Sequence, residues 1–198
     1  MPEDSIERAQ QSDAPLSAAV HQSDVGRAEA EERGWSDAAL VGRTVTINRP
    51  RAELYAFWRD FRNLARVLEN IERVDLSDDQ RSHWVVSAPG GRTVEWDSRI
   101  TEDEPDRLIA WESLEGGDIS NVGRIEFHDA PPGRGTMVTA TIAYDPPAGD
   151  LGKIVAKLFQ KEPKMQARRD LRRFKQLMET GEISTSAAPD AGPRGKLL

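Results

Sequence analysis

The sequence predicts an α+β domain: a curved antiparallel sheet of about six to seven strands wraps around one long C-terminal helix, with two short helices after the first strand. Three observations lead there. From Ile71 to Tyr144, apolar residues alternate with polar ones in short runs parted by turn-forming residues, the pattern of an antiparallel meander. From Asp150 to Gly181 the apolar spacing changes to three and four residues, as in a helix with one apolar stripe. Between Asn48 and Leu68 two shorter helical patterns intervene. A sheet with one apolar face and a helix with one apolar stripe bury each against the other.

Gly42 to Asn48 reads as the first strand, with Val45 and Ile47 on one side. Asn48-Arg49-Pro50 then opens a helix, where the donor that proline lacks would be unpaired in any case. Leu54, Tyr55, Phe57 and Trp58 make this helix strongly apolar. Asp60 is placed to cap a second short helix over Phe61 to Val67. Strands follow at Ile71–Leu76, Ser82–Ala88, Arg92–Thr101, Arg107–Leu114, Asn121–His128 and Thr136–Tyr144. Between them lie turn-forming stretches such as Ser77–Gln80, Pro89–Gly91, the acidic Glu102–Asp106 and Ala130–Gly135. The strand from Arg92 is the clearest amphipathic one: Val94, Trp96, Ser98 and Ile100 share the inner face, Thr93, Glu95, Asp97 and Arg99 the outer. Pro146-Pro147 ends the last strand. The long helix carries Leu151, Ile154, Val155, Leu158 and Phe159, then Ala167, Leu171, Phe174, Leu177 and Met178. Pro163 should kink it or divide it in two, and Gly181 stands where a C-cap glycine belongs.

The 198 residues allow one domain plus tails, and a hydrophobic fraction of 37% beside 31% charged residues implies that part of the chain does not pack. The composition assigns residues 1–40 to a disordered acidic arm, 42–181 to the folded domain and 182–198 to a disordered tail. A net charge of −7 argues against nucleic-acid binding. Basic residues nevertheless gather on the long helix, where Lys157, Lys161, Lys164, Arg168, Arg172 and Lys175 recur every three to four positions. That face reads either as a solvated face balancing the acidic sheet or as a peripheral contact with an anionic membrane. With no cysteine there is no disulfide, thiolate metal ligand or cysteine nucleophile. His21, His83 and His128 have no metal-ligand spacing, so neither metal nor cofactor is expected. No apolar run spans a bilayer and the acidic N-terminus is not a secretory leader, so the expected location is cytoplasmic.

Val45–Trp58, Arg107–Ser113, Gly123–Phe127, Thr136–Tyr144 and Asp170–Gly181 carry a family likeness. Together they resemble the START-like helix-grip (SRPBCC) superfamily, and more closely its bacterial polyketide cyclase/dehydrase or coenzyme-Q-binding START-type members. The resemblance implies a cavity between the curled sheet and the long helix. It does not choose a function, because the superfamily includes lipid carriers, cyclases, hydrolases and chaperone-like regulators.

The search for chemistry returns few groups. His83 and His128 alternate with inward aromatics and so face outward, and Glu95 and Asp97 lie opposite Trp96 as solvated charges. The polar residues on the inner face are Ser98, Ser113 and Tyr144, with Asn121 and Thr136 as further candidates, and no base can be assigned to either serine by spacing. No catalytic residue is named. The aromatics are more informative, because ringed walls with a few hydroxyls suit an apolar ligand with a polar end. The candidate cavity-lining residues are Trp58, Trp84, Trp96, Ser98, Trp111, Ser113, Phe127, Tyr144 and Phe159. The expected function is binding of a hydrophobic small molecule: a lipid, a quinone or a polyketide-like compound. The alternatives are a cyclase/dehydratase-type enzyme and a non-catalytic protein or membrane interaction module.

Overall fold

The computed structural model describes residues 28, 31–34, 39–88, 90–145 and 163–184. Seven strands form one antiparallel sheet: β1 (Ala39–Ile47), β2 (Ile71–Leu76), β3 (Arg81–Ala88), β4 (Arg92–Glu104), β5 (Leu108–Ser113), β6 (Ser120–Asp129) and β7 (Thr136–Asp145). Their spatial order is β1-β7-β6-β5-β4-β3-β2. From β1 at one edge the path crosses to the other through helix α1 (Arg51–Arg59) and a 3₁₀ helix (Phe61–Arg66), and walks back strand by strand. Helix α2 (Pro163–Thr180) then packs against β1. The predicted α+β architecture is present, with the sheet curled around the helices.

Local chemistry fixes the helix ends. Pro50 immediately precedes α1, as the missing proline donor requires. The second predicted helix is 3₁₀, with Asp60 accepting from the Arg62 backbone N–H at 3.2 Å. Helix α2 begins at Pro163, and the segment before it that carries Phe159 lies outside the described residues. Gly181 adopts φ +79° and its N–H reaches the Leu177 carbonyl at 2.8 Å, closing the last turn. Arg49 also donates to the carbonyls of Met178 at 2.7 Å and Glu179 at 3.0 Å, so the start of α1 grips the end of α2.

Two strand boundaries differ from expectation by more than one residue. β1 starts at Ala39, three residues before the expected Gly42. β4 runs on through Glu102-Asp103-Glu104, which the sequence presents as an acidic turn. A bulge lies between Ile100 and Glu102, so Thr101 is the extra residue and the two-residue alternation breaks there. The bulge turns Asp103 to a use: it accepts from the Tyr55 hydroxyl and, at 2.7 Å, from Arg59, tying α1 to the sheet.

The core lies between the inner sheet face and the helices. Phe174 is fully buried, packing on Phe57 at 5.3 Å and edge-on to Trp58 at 5.2 Å. Leu171 and Leu177 flank it on the same stripe of α2. Side chains of this size stabilise by about 2 kcal/mol each when buried, so this stripe is what holds α2 down. The outward residues behave as the alternation requires. His128 is exposed, and His83 sits between Asp97 (2.9 Å from Nδ1) and Glu95 (3.4 Å from Nε2) on the outer face.

Candidate functional site

The inner sheet face meets α1, the 3₁₀ helix and α2 around a cavity of about 170 Å³. On the sheet side its wall is Trp84 and Val86 from β3, Trp96 from β4, Trp111 from β5, and Asn121 from β6. Ala140, Ile142 and Tyr144 continue the wall along β7. The helical side supplies Trp58, Leu64, Leu68, Ala167, Asp170 and Leu171. Asn70, Ile71 and Ile119 complete it.

The sheet register assembles this wall. Trp84 and Trp96 are directly opposed across β3 and β4, and their rings stack at 5.9 Å with only 7° between planes. Both indoles are held from below by serines on the same strands: Trp84 Nε1 donates to Ser82 Oγ at 2.9 Å, and Trp96 Nε1 to Ser98 Oγ at 3.0 Å. Phe61 contacts Trp84 at 5.4 Å and meets Trp111 edge-on at 5.8 Å, closing one side. Trp111 can lie flat on the sheet because its neighbour on β6 is Gly123, where a Cβ would stand 2.2 Å from the indole.

Of the residues singled out from sequence, Trp58, Trp84, Trp96, Trp111 and Tyr144 are brought together on this wall. Ser98, Ser113 and Phe127 point inward but do not border the cavity. The Ser98 hydroxyl holds the Trp96 indole, and the Ser113 hydroxyl accepts from the Asn121 backbone N–H at 2.9 Å. Phe127 is fully buried in the core, edge-on to Tyr55 at 6.1 Å. Phe159 lies outside the described residues. Thr136 is likewise engaged elsewhere, donating to the Arg49 carbonyl at 2.7 Å.

The polar groups of the wall are few, and Asp170, Asn121 and Tyr144 are deeply buried. Asp170 is only 7% exposed, and Oδ1 accepts from the Glu69 backbone N–H at 3.3 Å. Burial pushes its carboxyl up to about 7; the hydrogen bond from the Glu69 backbone opposes the rise, the Glu69 carboxylate adds to it, and Arg173 and Arg169 oppose it. The Tyr144 hydroxyl is pushed up to about 12 by burial, so it stays protonated at neutral pH. Asn121 stands beside Tyr144 in the register of β6 and β7. Among the described residues, neither the Asn121 Nδ2 nor the Trp58 Nε1 has a hydrogen-bond partner. No described residue of the wall is Lys, Arg or His, and no group of three or more His, Asp or Glu among the described residues is arranged to hold a metal. Sequence reasoning did not single out Asp170. Its signal is positional: with Ala167, Leu171 and Phe174 it falls on the buried stripe.

Known proteins resemble this chain in sequence and fold. The family model described as "Polyketide cyclase / dehydrase and lipid transport" matches residues 47–172, from the end of β1 into α2. A crystal structure of a Deinococcus radiodurans protein is 39% identical, covers 73% of this chain and 99% of its own, and superposes with a TM-score of 0.60. The aromatase/cyclase ZhuI from Streptomyces sp. R1128 is 17% identical with a TM-score of 0.57, over 74% of this chain and 99% of its own, a likeness of fold. An uncharacterised 17.2 kDa protein from the melC2-rnhH intergenic region of Streptomyces lincolnensis is 28% identical over 141 residues, 70% of this chain and 89% of its own.

Proposed function

The chain belongs to the polyketide cyclase/dehydrase and lipid transport family, and from that premise we propose that it binds a lipid, a quinone or a polyketide-like molecule in the cavity between its sheet and α2. The observation that carries the reading is the wall itself: four tryptophans and a tyrosine around an internal space, held open by serines beneath two of the indoles. Aromatic walls with a few oriented polar groups are the usual form of a site for an apolar ligand. A cyclase or dehydratase activity is the second reading, favoured by the family alone. The inner-face serines speak against hydroxyl chemistry, since both are engaged in holding their neighbours.

Native mass spectrometry of the purified protein, followed by denaturing extraction, should reveal a co-purifying apolar compound. Titration with N-phenyl-1-naphthylamine then tests the wall. Trp96→Ala should weaken binding by about tenfold or more, because it removes a ring from the cavity. Glu95→Ala, on the outer face beside His83, should change it by less than about twofold. Equal losses, or a larger loss from Glu95→Ala, would sink the assignment.

A further inference from the structure

The outer face of the sheet has two halves. Over β3 and β4 it is open: Arg81, Thr93, Asp97 and Arg99 are exposed. Over β5, β6 and β7 it is closed. Val122 is 4% exposed and Ala143 1%, and Ala110, Thr139 and Thr141 beside them are also buried. These residues alternate with those of the cavity wall, so they point the other way, and the core with α1 and α2 lies on the opposite face. Their side chains are too short to cover one another, and on the convex side of a curled sheet neighbouring side chains diverge. Even Arg124 in their midst has only 19% of its side chain exposed, against 57% for Arg99 on the open half. Val85, buried on the open half, is a different case, because the long side chains of Arg73 and Glu95 flank it on the adjacent strands. The closed half lies beneath another layer.

One contact shows where that layer comes from. Arg33, in the segment before β1, donates to Glu112 Oε2 at 2.7 Å, while Arg99 holds the other carboxylate oxygen at 2.7 Å. Glu112 pairs with Val122, Val122 with Ala143, and Ala143 with Leu40 of β1, so the four stand in one row across the sheet. Three strand spacings, about 14 Å, separate the ends of that row, and the chain from Arg33 to Leu40 is long enough to span them. The direct path back to β1 runs over Val122 and Ala143. The stretch that takes it, Gly34-Trp35-Ser36-Asp37-Ala38, carries Trp35, the aromatic residue of the first 40. A flat indole suits a floor of Ala, Val and Thr, which offers apolar area and no side chain tall enough to lift the ring.

We propose that the outer face of β5–β7 is the docking site of the chain's own segment Arg33–Ala38, with Trp35 laid over Val122 and Ala143 and Arg33 clamped by Glu112. The end of the acidic arm is then a strap belonging to the folded domain, and it closes this face to other partners.

The chain has no cysteine, so an introduced thiol reports one position. Val122→Cys places it under the strap at nearly unchanged size, Thr93→Cys places it on the open half, and Ser98→Cys buries it in the inner face as a monitor of global opening. In the full chain, N-ethylmaleimide should label Val122→Cys at least about tenfold more slowly than Thr93→Cys. Adding Arg33→Glu and Trp35→Ser should raise the ratio of the Val122→Cys rate to the Ser98→Cys rate by about tenfold or more. Labelling of Val122→Cys as fast as Thr93→Cys in the full chain would overturn the proposal. So would a ratio that the two arm substitutions leave unchanged; if labelling then quickens on dilution, the cover is a second copy of the chain.

Discussion

Asp170 shows how one side chain can be read from its surroundings. It is buried on the apolar stripe of α2, and its carboxyl is pushed up to about 7 from the ordinary 3.8. The folded state therefore prefers the protonated form. The stabilising contribution is complete below the unfolded value near 3.8, declines as the pH rises, and is lost above about 7. A rise of this size corresponds to roughly 4 kcal/mol. Asp170→Asn keeps the acceptor for the Glu69 N–H and cannot ionise. Urea denaturation should find the variant close to the wild type near pH 4 and more stable near pH 8, with the gap opening between about 5 and 7. A gap that does not change with pH would mean that Asp170 ionises like an exposed carboxylate. The ionisation of Glu69, Arg169 and Arg173, the charges facing it, is common to both proteins, so the difference reports Asp170 together with its interactions with these three.

At the scale of elements, the wall depends on which residues the strands place opposite one another. Gly123 pairs with Trp111 across β5 and β6, and a side chain there would have to displace the indole. Gly123→Ala should destabilise the protein by about 1–3 kcal/mol and weaken binding of N-phenyl-1-naphthylamine, since a displaced Trp111 enters the cavity. Gly116→Ala is the comparison. At φ +93° it carries backbone strain of about 1 kcal/mol, but no atom stands within 4 Å of its Cβ, so binding should be unaffected. Denaturant midpoints and probe titrations together separate the two. If Gly123→Ala binds normally, the indole does not need the glycine.

For the molecule as a whole, the order of the strands decides where it opens. The strands β4, β5 and β6 are interior, while β1 and β2 are edges. The β1 edge is shielded by α2, from which Lys175 donates to the Thr46 carbonyl at 2.7 Å. β2 is short, bulged between Ile71 and Arg73, and exposed along Glu72, Arg73 and Asp75. Native-state hydrogen exchange should find β4–β6 protected to the limit of global unfolding and β2 exchanging at least about tenfold faster. Equal protection across the sheet would show β2 to be part of the central unit. The same topology explains what was legible in advance. Alternation and turn chemistry locate every strand to within a few residues, and four of the wall's aromatic residues, Trp84, Trp96, Trp111 and Tyr144, follow from the phase of those strands. The bulge in β4 was illegible because one extra residue removes the signal by which a strand is read. The serines were misjudged for a different reason. Spacing places a hydroxyl on the inner face but does not reveal that the neighbouring indole takes its lone pair. Asp170 and the unpaired donors of Trp58 and Asn121 depend on contacts between distant segments, which no local pattern encodes.

The distribution of tryptophan has an optical consequence. The chain has five, and four of them border a single cavity, so most of its ultraviolet emission originates within contact distance of whatever occupies that space. Two of the four, Trp84 and Trp96, stack nearly parallel at 5.9 Å, close enough for their excited states to couple. An occupant that absorbs near the indole emission band would darken the protein, and one that only shifts the stack would change its near-ultraviolet circular dichroism. The site therefore carries its own reporter, and arrival of a ligand can be followed in the native chain without any label.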